Sequence, residues 1–127
     1  MEHFGQIHQG LVTSLEFVPN KKQIVSGSED CTIHIWDFST IEKIASPPLI
    51  IKGHDKAVRS IVLTQTGESI ISGGDDRVIR IFDTKNGDLK GHYLGHQGEI
   101  THVTVSPNGD LLASCSHDGS IRIWSLD

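Results

Sequence analysis

Hydrophobic and polar residues alternate along this chain in short runs that are separated by turn-forming residues. The runs at 11–18, 58–63 and 100–105 are rich in β-branched side chains, and a turn signal follows each of them, as PNKK, TQTGE or SPNGD. A second run follows each turn as QIVSGS, SIISGG or LLASCS, and a third follows as TIHIWD, VIRIFD or SIRIWS. Because β-branched residues favour a pleated strand over a helix, these patterns predict strands.

A fourth and weaker run precedes each group, as HFGQI, as IEKIA or LIIK, and as LKGHYL. Four short strands per unit, in the order fourth, first, second, third, predict an all-β protein built from β-meanders. Alternation along the third runs assigns a set of aliphatic residues to the core, with Ile79 out of phase. The set is Ile33, Ile35, Val78, Ile79, Ile81, Ile121 and Ile123.

One spacing of four residues recurs three times along the chain. His8, His54 and His96 are each followed by a serine after 18 residues, by an aspartate after 22 and by an aromatic residue after 28. Three copies that align without gaps indicate a repeat array within a single region. The region spans 1–127, and its units lie at about 3–37, 43–83 and 89–125.

These residues resemble the WD-repeat β-propeller family, whose units of about 40–45 residues each contribute four strands. The resemblance implies a β-propeller segment of three four-stranded antiparallel blades. It also implies that the repeated residues of each unit form a structural, hydrogen-bonded tetrad. The implied members are His8, Ser26, Asp30 and Trp36, then His54, Ser72 and Asp76, then His96, Ser114, Asp118 and Trp124. In the second unit Phe82 stands where the family has a tryptophan, so Ser72 would lack the indole donor.

The charge balance excludes some classes of partner. Eleven Lys and Arg stand against 16 Asp and Glu, which gives a net charge of -5 with neutral histidines. No cluster of cations offsets this charge, so we expect no direct contact with nucleic acid. No apolar run approaches the roughly 18 residues that a membrane span needs, and the first ten residues lack the features of a signal peptide.

The two cysteines, Cys31 and Cys115, have no CxxC spacing and are too few for a disulfide scaffold, which indicates reduced thiols. We therefore expect an intracellular protein, cytoplasmic or nuclear and not secreted, that does not bind a membrane.

The recurring serine, histidine and aspartate raise the alternative of a serine hydrolase. A nucleophile must be accessible and have an oxyanion hole beside it, whereas these serines fall within strands and recur three times, as structural residues would. We therefore expect no enzyme activity, and a hydrolase is the weakest alternative.

Four histidines besides the repeated ones, His34, His92, His102 and His117, lack the spacing of a zinc site. We interpret them as solvated strand and loop residues. We expect neither a bound metal nor any other cofactor.

The resemblance further implies a partner-binding face formed by the histidine loops and the aspartate turns. It points to the third and fifth residues after each histidine and to the residue before each aspartate. These are Leu11, Thr13 and Glu29, then Ala57, Arg59 and Asp75, then Glu99, Thr101 and His117. Because the set carries three carboxylates against one guanidinium, it favours a protein or peptide partner with basic residues. The predicted function is a non-enzymatic scaffold for protein–protein interaction.

Three units are fewer than the roughly four to eight blades with which propellers close. Two explanations are open. In the first, the units belong to a longer propeller whose remaining blades cover their outer faces. In the second, two copies associate head to tail into a homodimeric six-bladed ring, in which HFGQI of one copy completes the last blade of the other. The lack of capping residues in the terminal units favours the first explanation.

Overall fold

The computed structural model describes residues 8–40, 43–44 and 48–126, and these residues form twelve strands and no helix. The strands are β1 (Val12–Phe17), β2 (Gln23–Ser28), β3 (Ile33–Thr40), β4 (Lys43–Ile44), β5 (Leu49–Ile51), β6 (Val58–Leu63), β7 (Ser69–Gly74), β8 (Ile79–Asp83), β9 (Leu89–Tyr93), β10 (Ile100–Val105), β11 (Leu111–Ser116) and β12 (Ile121–Ser125). The predicted run HFGQI, at 3–7, lies outside the described residues.

The strands form three antiparallel sheets, one for each repeated unit. We call them blade one (β1–β5), blade two (β6–β9) and blade three (β10–β12). In each blade the first three strands are neighbours in chain order, because short turns join them as hairpins. This topology confirms the predicted all-β fold of propeller blades.

The fourth strand of a blade comes from the unit that follows it in the chain. Strand β5, just before His54, pairs with β3 of blade one through Ile33 and Ile51, and β9, just before His96, pairs with β8 of blade two. Blade one also contains the two-residue strand β4, which pairs with the far end of β3. Both IEKIA and LIIK therefore contribute to blade one, and blade three has three strands in the described part of the chain.

Each blade carries a β-bulge at the start of its first strand. The register shifts between Val12 and Ser14 in blade one, and equivalent shifts occur between residues 58 and 60 and between residues 100 and 102. The extra, unpaired residues are Thr13, Arg59 and Thr101. A bulge turns the side chain of its extra residue away from the ordinary alternation. At this end of the blades Thr13 Oγ1 donates to Val58 O, Arg59 donates to Asp75 and Glu29, and Thr101 Oγ1 donates to Cys115 O.

The hydrophobic core lies between neighbouring blades. A cluster between blades one and two includes Val25, Ile33, Ile35, Val58, Ile61, Ile70 and Phe82. A second cluster, between blades two and three, includes Ile71, Ile79, Ile100, Val103 and Leu112. Each blade therefore stabilises the next by burying one face of its sheet.

The predicted core set is wrong for three residues. Ile79 is fully buried in β8, in the place that Ile33 holds in β3, so it is in phase with the core and not out of phase. Ile121 and Ile123 were predicted to be buried, yet they are 77% and 68% exposed. Their side of β12 corresponds to the side of β3 that packs on blade two, and no described residue packs there.

In the described part of the chain, no helix has the length and the apolar character needed to cross a membrane.

Candidate functional site

In all three units the repeated histidine links the aspartate of a turn to the serine of the second strand. His8 Nδ1 lies 3.0 Å from Asp30 Oδ2, and His8 Nε2 lies 2.7 Å from Ser26 Oγ. The same two distances are 2.9 and 2.6 Å in the second unit and 3.3 and 2.7 Å in the third. A neutral imidazole that donates from Nδ1 and accepts at Nε2 satisfies both partners.

The aromatic residue differs in its contacts from unit to unit. Trp124 Nε1 donates to Ser114 Oγ at 3.0 Å, and Trp36 is buried in the equivalent place of β3. Phe82 offers no donor, and its buried ring lies 6.2 Å from the ring of His54. Blade two thus replaces the indole contact by apolar packing.

The aspartates are held in place by backbone groups on both sides. One carboxylate oxygen accepts the N–H two residues further on, as in an Asx-turn, with distances of 2.8–3.2 Å. The other oxygen accepts the N–H of the residue after the histidine, at 2.8–3.3 Å. Each turn is therefore tied to the histidine loop by the same carboxylate.

Sequence reasoning missed a hydroxyl that joins the cluster in two of the units. Thr32 Oγ1 lies 2.5 Å from Asp30 Oδ1 and 3.2 Å from His8 Nδ1. Ser120 Oγ lies 2.5 and 3.1 Å from the equivalent atoms of Asp118 and His96. A hydroxyl residue two positions after the aspartate is the signal that could have identified them.

The second unit uses a guanidinium in place of that hydroxyl. Val78 stands at the hydroxyl position, and Arg80, two residues later, reaches the cluster. Its NH1 atom lies 2.9 Å from His54 Nδ1 and also contacts Asp76 Oδ2. Blade two is therefore the blade in which a cation sits against the histidine–aspartate pair.

Hydrogen bonds keep the three carboxylates ionised. Burial by itself raises the pKa of Asp30 and Asp76, but donors that include Thr32 for Asp30 and His54 for Asp76 outweigh it and bring each pKa well below its usual value. The pKa of Asp118 is lowered first by the hydroxyl of Ser120. The aspartates are thus anionic acceptors at neutral pH.

The repeated serines do not have the access that a nucleophile needs. Ser26, Ser72 and Ser114 are 5%, 0% and 2% exposed, and each hydroxyl is already hydrogen-bonded to its histidine. A substrate cannot reach these Oγ atoms in the folded chain, which argues against the hydrolase alternative.

His34 is buried, and its interpretation as a solvated residue is wrong. It is 4% exposed in β3, and its ring lies 3.8 Å from the ring of His8. Burial, together with the neighbouring His8, lowers the pKa of His34, so the imidazole is neutral at pH 7. Its Nδ1 is buried without a hydrogen-bond partner in the described part of the chain. The other three, His92, His102 and His117, are exposed as expected.

The nine residues of the predicted partner-binding face meet at one end of the blades. In each blade the N–H of the residue before the aspartate donates to the carbonyl of the third residue after the histidine. The pairs are Glu29 to Leu11, Asp75 to Ala57 and His117 to Glu99, each at 2.9 Å. The fifth residues after the histidines are the bulge residues described above. Leu11, Glu29, Thr101 and His117 are exposed, and Thr13, Ala57, Arg59, Asp75 and Glu99 are half-buried.

Arg59 joins the faces of blades one and two. Its guanidinium donates twice to the carboxylate of Asp75, at 3.0 and 2.9 Å, and once to Glu29 of blade one, at 2.9 Å. These bonds raise the pKa of Arg59 and lower that of Asp75. Glu99 Oε1 of the third unit lies 3.9 Å from the NH2 atom of Arg77, a residue of the second unit. The carboxylates are thus closer to cations than residue counts alone indicate.

Both cysteines are free thiols in partly buried positions. Burial, with the neighbouring carboxylate of Asp30 as the next cause, raises the pKa of Cys31. A protonated thiol is a weak nucleophile, so this turn residue lacks the character of a reactive cysteine.

Comparison with protein families gives three matches in this chain. The family described as "WD domain, G-beta repeat" matches residues 3–37, 45–83 and 87–125.

Curated relatives show the same kind of similarity over part of their length. The chain is 35% identical over 79 residues to eukaryotic translation initiation factor 3 subunit I of Aspergillus niger, which covers 62% of this chain and 23% of the relative. It is 33% identical over 123 residues to nuclear distribution protein nudF 1 of Talaromyces marneffei, covering 94% of this chain and 26% of the relative. Nuclear distribution protein PAC1 of Coccidioides posadasii is 28% identical over 146 residues, covering 92% and 30%. The chain therefore spans less than a third of these relatives.

Proposed function

The chain belongs to the family of WD domain, G-beta repeats, and from this premise we propose that it is a non-enzymatic scaffold that binds a protein or a peptide. The proposed binding face is the end of the blades formed by the histidine loops and the aspartate turns. The proposed place of action is inside the cell, in the cytoplasm or nucleus, where the free thiols of Cys31 and Cys115 stay reduced.

The bulges are the observation that carries this proposal. Each bulge releases one side chain, Thr13, Arg59 or Thr101, from strand pairing at the same end of its blade. The bulge recurs at the same place in all three units, and bulges are common where a sheet must aim a side chain at a ligand. Loops on a rigid scaffold are also where binding residues concentrate.

The proposed partner carries basic residues. Glu29 and Asp75 share one guanidinium, that of Arg59, so this part of the face keeps a net negative charge. Their side chains are 37% and 28% exposed, which leaves carboxylate surface open to a ligand. A Lys or Arg side chain of a partner would compete with Arg59 for these two carboxylates.

Variants of Glu29, Asp75 and Arg59 test the proposed binding face. The ligands are a fluorescent peptide of alternating Arg and Gly and a matched peptide of alternating Glu and Gly. In fluorescence anisotropy, Glu29→Gln with Asp75→Asn is expected to weaken binding of the Arg peptide about five- to tenfold, because two acceptors are lost. Arg59→Ala is expected to strengthen it, because both carboxylates lose their internal partner.

A matched control keeps the charge change but moves it away from the proposed face. Glu68→Gln with Asp88→Asn alters two exposed carboxylates at the opposite end of blade two. This control is expected to leave the affinity for the Arg peptide within about twofold. Equal losses in both double variants, or equal binding of the Glu peptide, would refute the proposed face.

Self-association is a second candidate, and the exposure of two sheet faces favours it. Val12, Leu15 and Phe17 of β1 are 56%, 58% and 68% exposed, whereas the equivalent residues of β6 are buried against blade one. The exposed side of β12 carries Ile121 and Ile123, whose equivalents in β3 are buried against blade two. The two open faces are thus the two halves of an interface that occurs twice inside the chain.

Head-to-tail pairing of two copies would bury both faces in a closed ring. Each apolar side chain removed from water contributes about 1.5–3 kcal/mol, so five of them on each of two interfaces supply a substantial driving force. Alternatively, further blades of a longer propeller would cover the same two faces.

Light scattering across a concentration series measures the mass of the chain in solution. This mass shows whether a second copy of the chain covers the two faces. If two copies pair head to tail, the wild type is expected to be a homodimer and the variants Leu15→Asp and Ile123→Asp are expected to be monomers. An equimolar mixture of these two variants should regain association, because one intact interface remains between unlike copies. Leu94→Asp, at an exposed position away from both faces, should stay dimeric. A wild type that is monomeric at every concentration would rule out self-association.

A further inference from the structure

The first unit holds three metal-ligating side chains close together. One ring nitrogen of His8, one ring nitrogen of His34 and one carboxylate oxygen of Asp30 lie within 4.8 Å of one another. Both histidines are buried, and the aspartate is half-buried in the turn between β2 and β3. We propose that this cluster binds a divalent transition-metal ion of the class that prefers imidazole ligands, with Zn²⁺ as the ion to test.

Blade two shows that a positive charge can lie between the repeated histidine and aspartate. Arg80 holds the repeat position of His34, and its guanidinium lies against both His54 Nδ1 and Asp76 Oδ2. A positive charge therefore occupies the pocket between histidine and aspartate in blade two. In blade one His34 stands at that repeat position, and the hydroxyl of Thr32 reaches the histidine–aspartate pair.

The Asp30 carboxylate of blade one is met by hydrogen-bond donors in place of a guanidinium. These donors are His8 Nδ1, the N–H of Gln9 and the N–H and hydroxyl of Thr32. A metal ion would supply in blade one the charge that Arg80 supplies in blade two.

A second and independent observation is the unsatisfied nitrogen of His34. Its Nδ1 is buried and has no hydrogen-bond partner within the described residues, although the residue as a whole is 4% exposed. A buried polar atom without a partner is unfavourable, and metal coordination is one way to satisfy an imidazole. His34 also lies against His8, with 3.8 Å between the ring centres, and its ring would have to turn out of this stack for a nitrogen lone pair to point at an ion shared with His8.

The donor set suits Zn²⁺ chemically. Two imidazoles and one carboxylate provide three protein ligands and leave a fourth tetrahedral position for water. Zn²⁺ bonds of about 2.0–2.1 Å place ligand atoms about 3.3 Å apart. His8 Nδ1 and Asp30 Oδ2, at 3.0 Å, are already near that separation, and the ligand atoms of the cluster lie within 4.8 Å of one another.

The existing contacts also accommodate the proton of His8. With the metal on Nδ1, the neutral ring carries its proton on Nε2 and donates it to Ser26 Oγ, 2.7 Å away. The side chain of Asp30 is 12% exposed, which gives water and the ion a route to the site. The bound ion would tie the loop before β1 and the turn after β2 to strand β3, and it would therefore stabilise blade one.

Calorimetric titration with ZnCl₂ of the whole chain, first stripped with EDTA, tests the proposal. One equivalent is expected to bind with high affinity, and a Zn²⁺ concentration about 100-fold above Kd is expected to raise the Tm by about 5–10 °C. Co²⁺ in the same site is expected to show the visible absorption of a four-coordinate complex.

Substitution of His34 separates this site from ordinary surface binding. His34→Arg places in blade one the residue that blade two has, so it should keep the fold in EDTA and lose both the Tm shift and the Co²⁺ spectrum. His34→Gln, a neutral replacement, should lose them as well and covers the case in which arginine does not fit. The triple variant His92→Gln, His102→Gln and His117→Gln removes exposed imidazoles and should keep the one-equivalent binding.

The reverse pattern overturns the proposal. If the Zn²⁺ affinity, stoichiometry and Tm shift persist in both His34 variants and disappear in the triple variant, the metal is an adventitious ion only. Absence of saturable Zn²⁺ binding by the wild type has the same consequence.

Discussion

Asp76→Ala is expected to lower the free energy of unfolding by about 3 kcal/mol at pH 7, because it leaves a partly buried cation without its carboxylate. The Asp76 side chain is 6% exposed and accepts from His54, from Arg80 and from the N–H of Val78. Urea denaturation followed by circular dichroism measures the change. Replacing Arg80 by Leu in the same chain should restore part of the loss, since the unpaired cation is then absent.

The pH dependence gives the same prediction a second readout. The pKa of Asp76 is lowered in the folded state, so its contribution to stability is complete above its unfolded value of about 3.9. This contribution is lost as the pH falls from there toward the folded-state pKa. The wild type should therefore lose more stability in acid than Asp76→Ala does.

Asp55→Ala is the matched control for Asp76→Ala. It makes the same chemical change on the histidine loop of the same blade, but the side chain is exposed. Its effect should stay within about 0.5 kcal/mol. Comparable losses in the two variants would show that Asp76 has no special role in the blade.

Gly53→Ala is expected to lower the free energy of unfolding by about 2 kcal/mol through overpacking. A Cβ at Gly53 would overlap Cζ of Phe82 and would lie 2.6 Å from its Cε1. The ring cannot withdraw easily, because Phe82 is 2% exposed within the cluster between blades one and two. Thermal or urea unfolding of the purified variant measures the loss.

Two comparisons show whether the ring is the cause. Gly91→Ala, where an added Cβ meets no atom within 4 Å, should be close to neutral. In a Phe82→Leu background the contacting ring atoms are gone, so Gly53→Ala should have little further effect, and the two changes should couple by about 2 kcal/mol. Additive effects would mean that the strain arises elsewhere.

The strands were predictable from sequence because their signals are local. Alternation, β-branched residues and turn residues act within one hairpin, and the predicted runs 58–63, 69–74, 100–105 and 111–116 have the bounds of β6, β7, β10 and β11. The repeat spacing likewise identified histidine, serine and aspartate residues that lie within hydrogen-bond distance, since hairpins of equal length return the chain to the same place.

The fifth member of each cluster was not predictable in the same way. A hydroxyl fills the place in units one and three, but in unit two a guanidinium reaches it from Arg80, two residues further along β8. A spacing search detects residues that recur at one position, whereas a long side chain fills the same space from a different position. The charge pairing of Arg59 with Glu29 was missed for a related reason, because it crosses from one blade to the next.

The burial of equivalent isoleucines shows most clearly where prediction from the sequence ends. Ile79 and Ile121 occupy equivalent positions in the similar runs VIRIFD and SIRIWS, yet Ile79 is fully buried and Ile121 is 77% exposed. Local pattern was sufficient for the strands, their order and the family, because those depend on backbone pairing within a unit. Which isoleucines form the core, and that His34 is buried against His8, depended on the assembled blades, because burial requires two surfaces and one strand supplies a single surface.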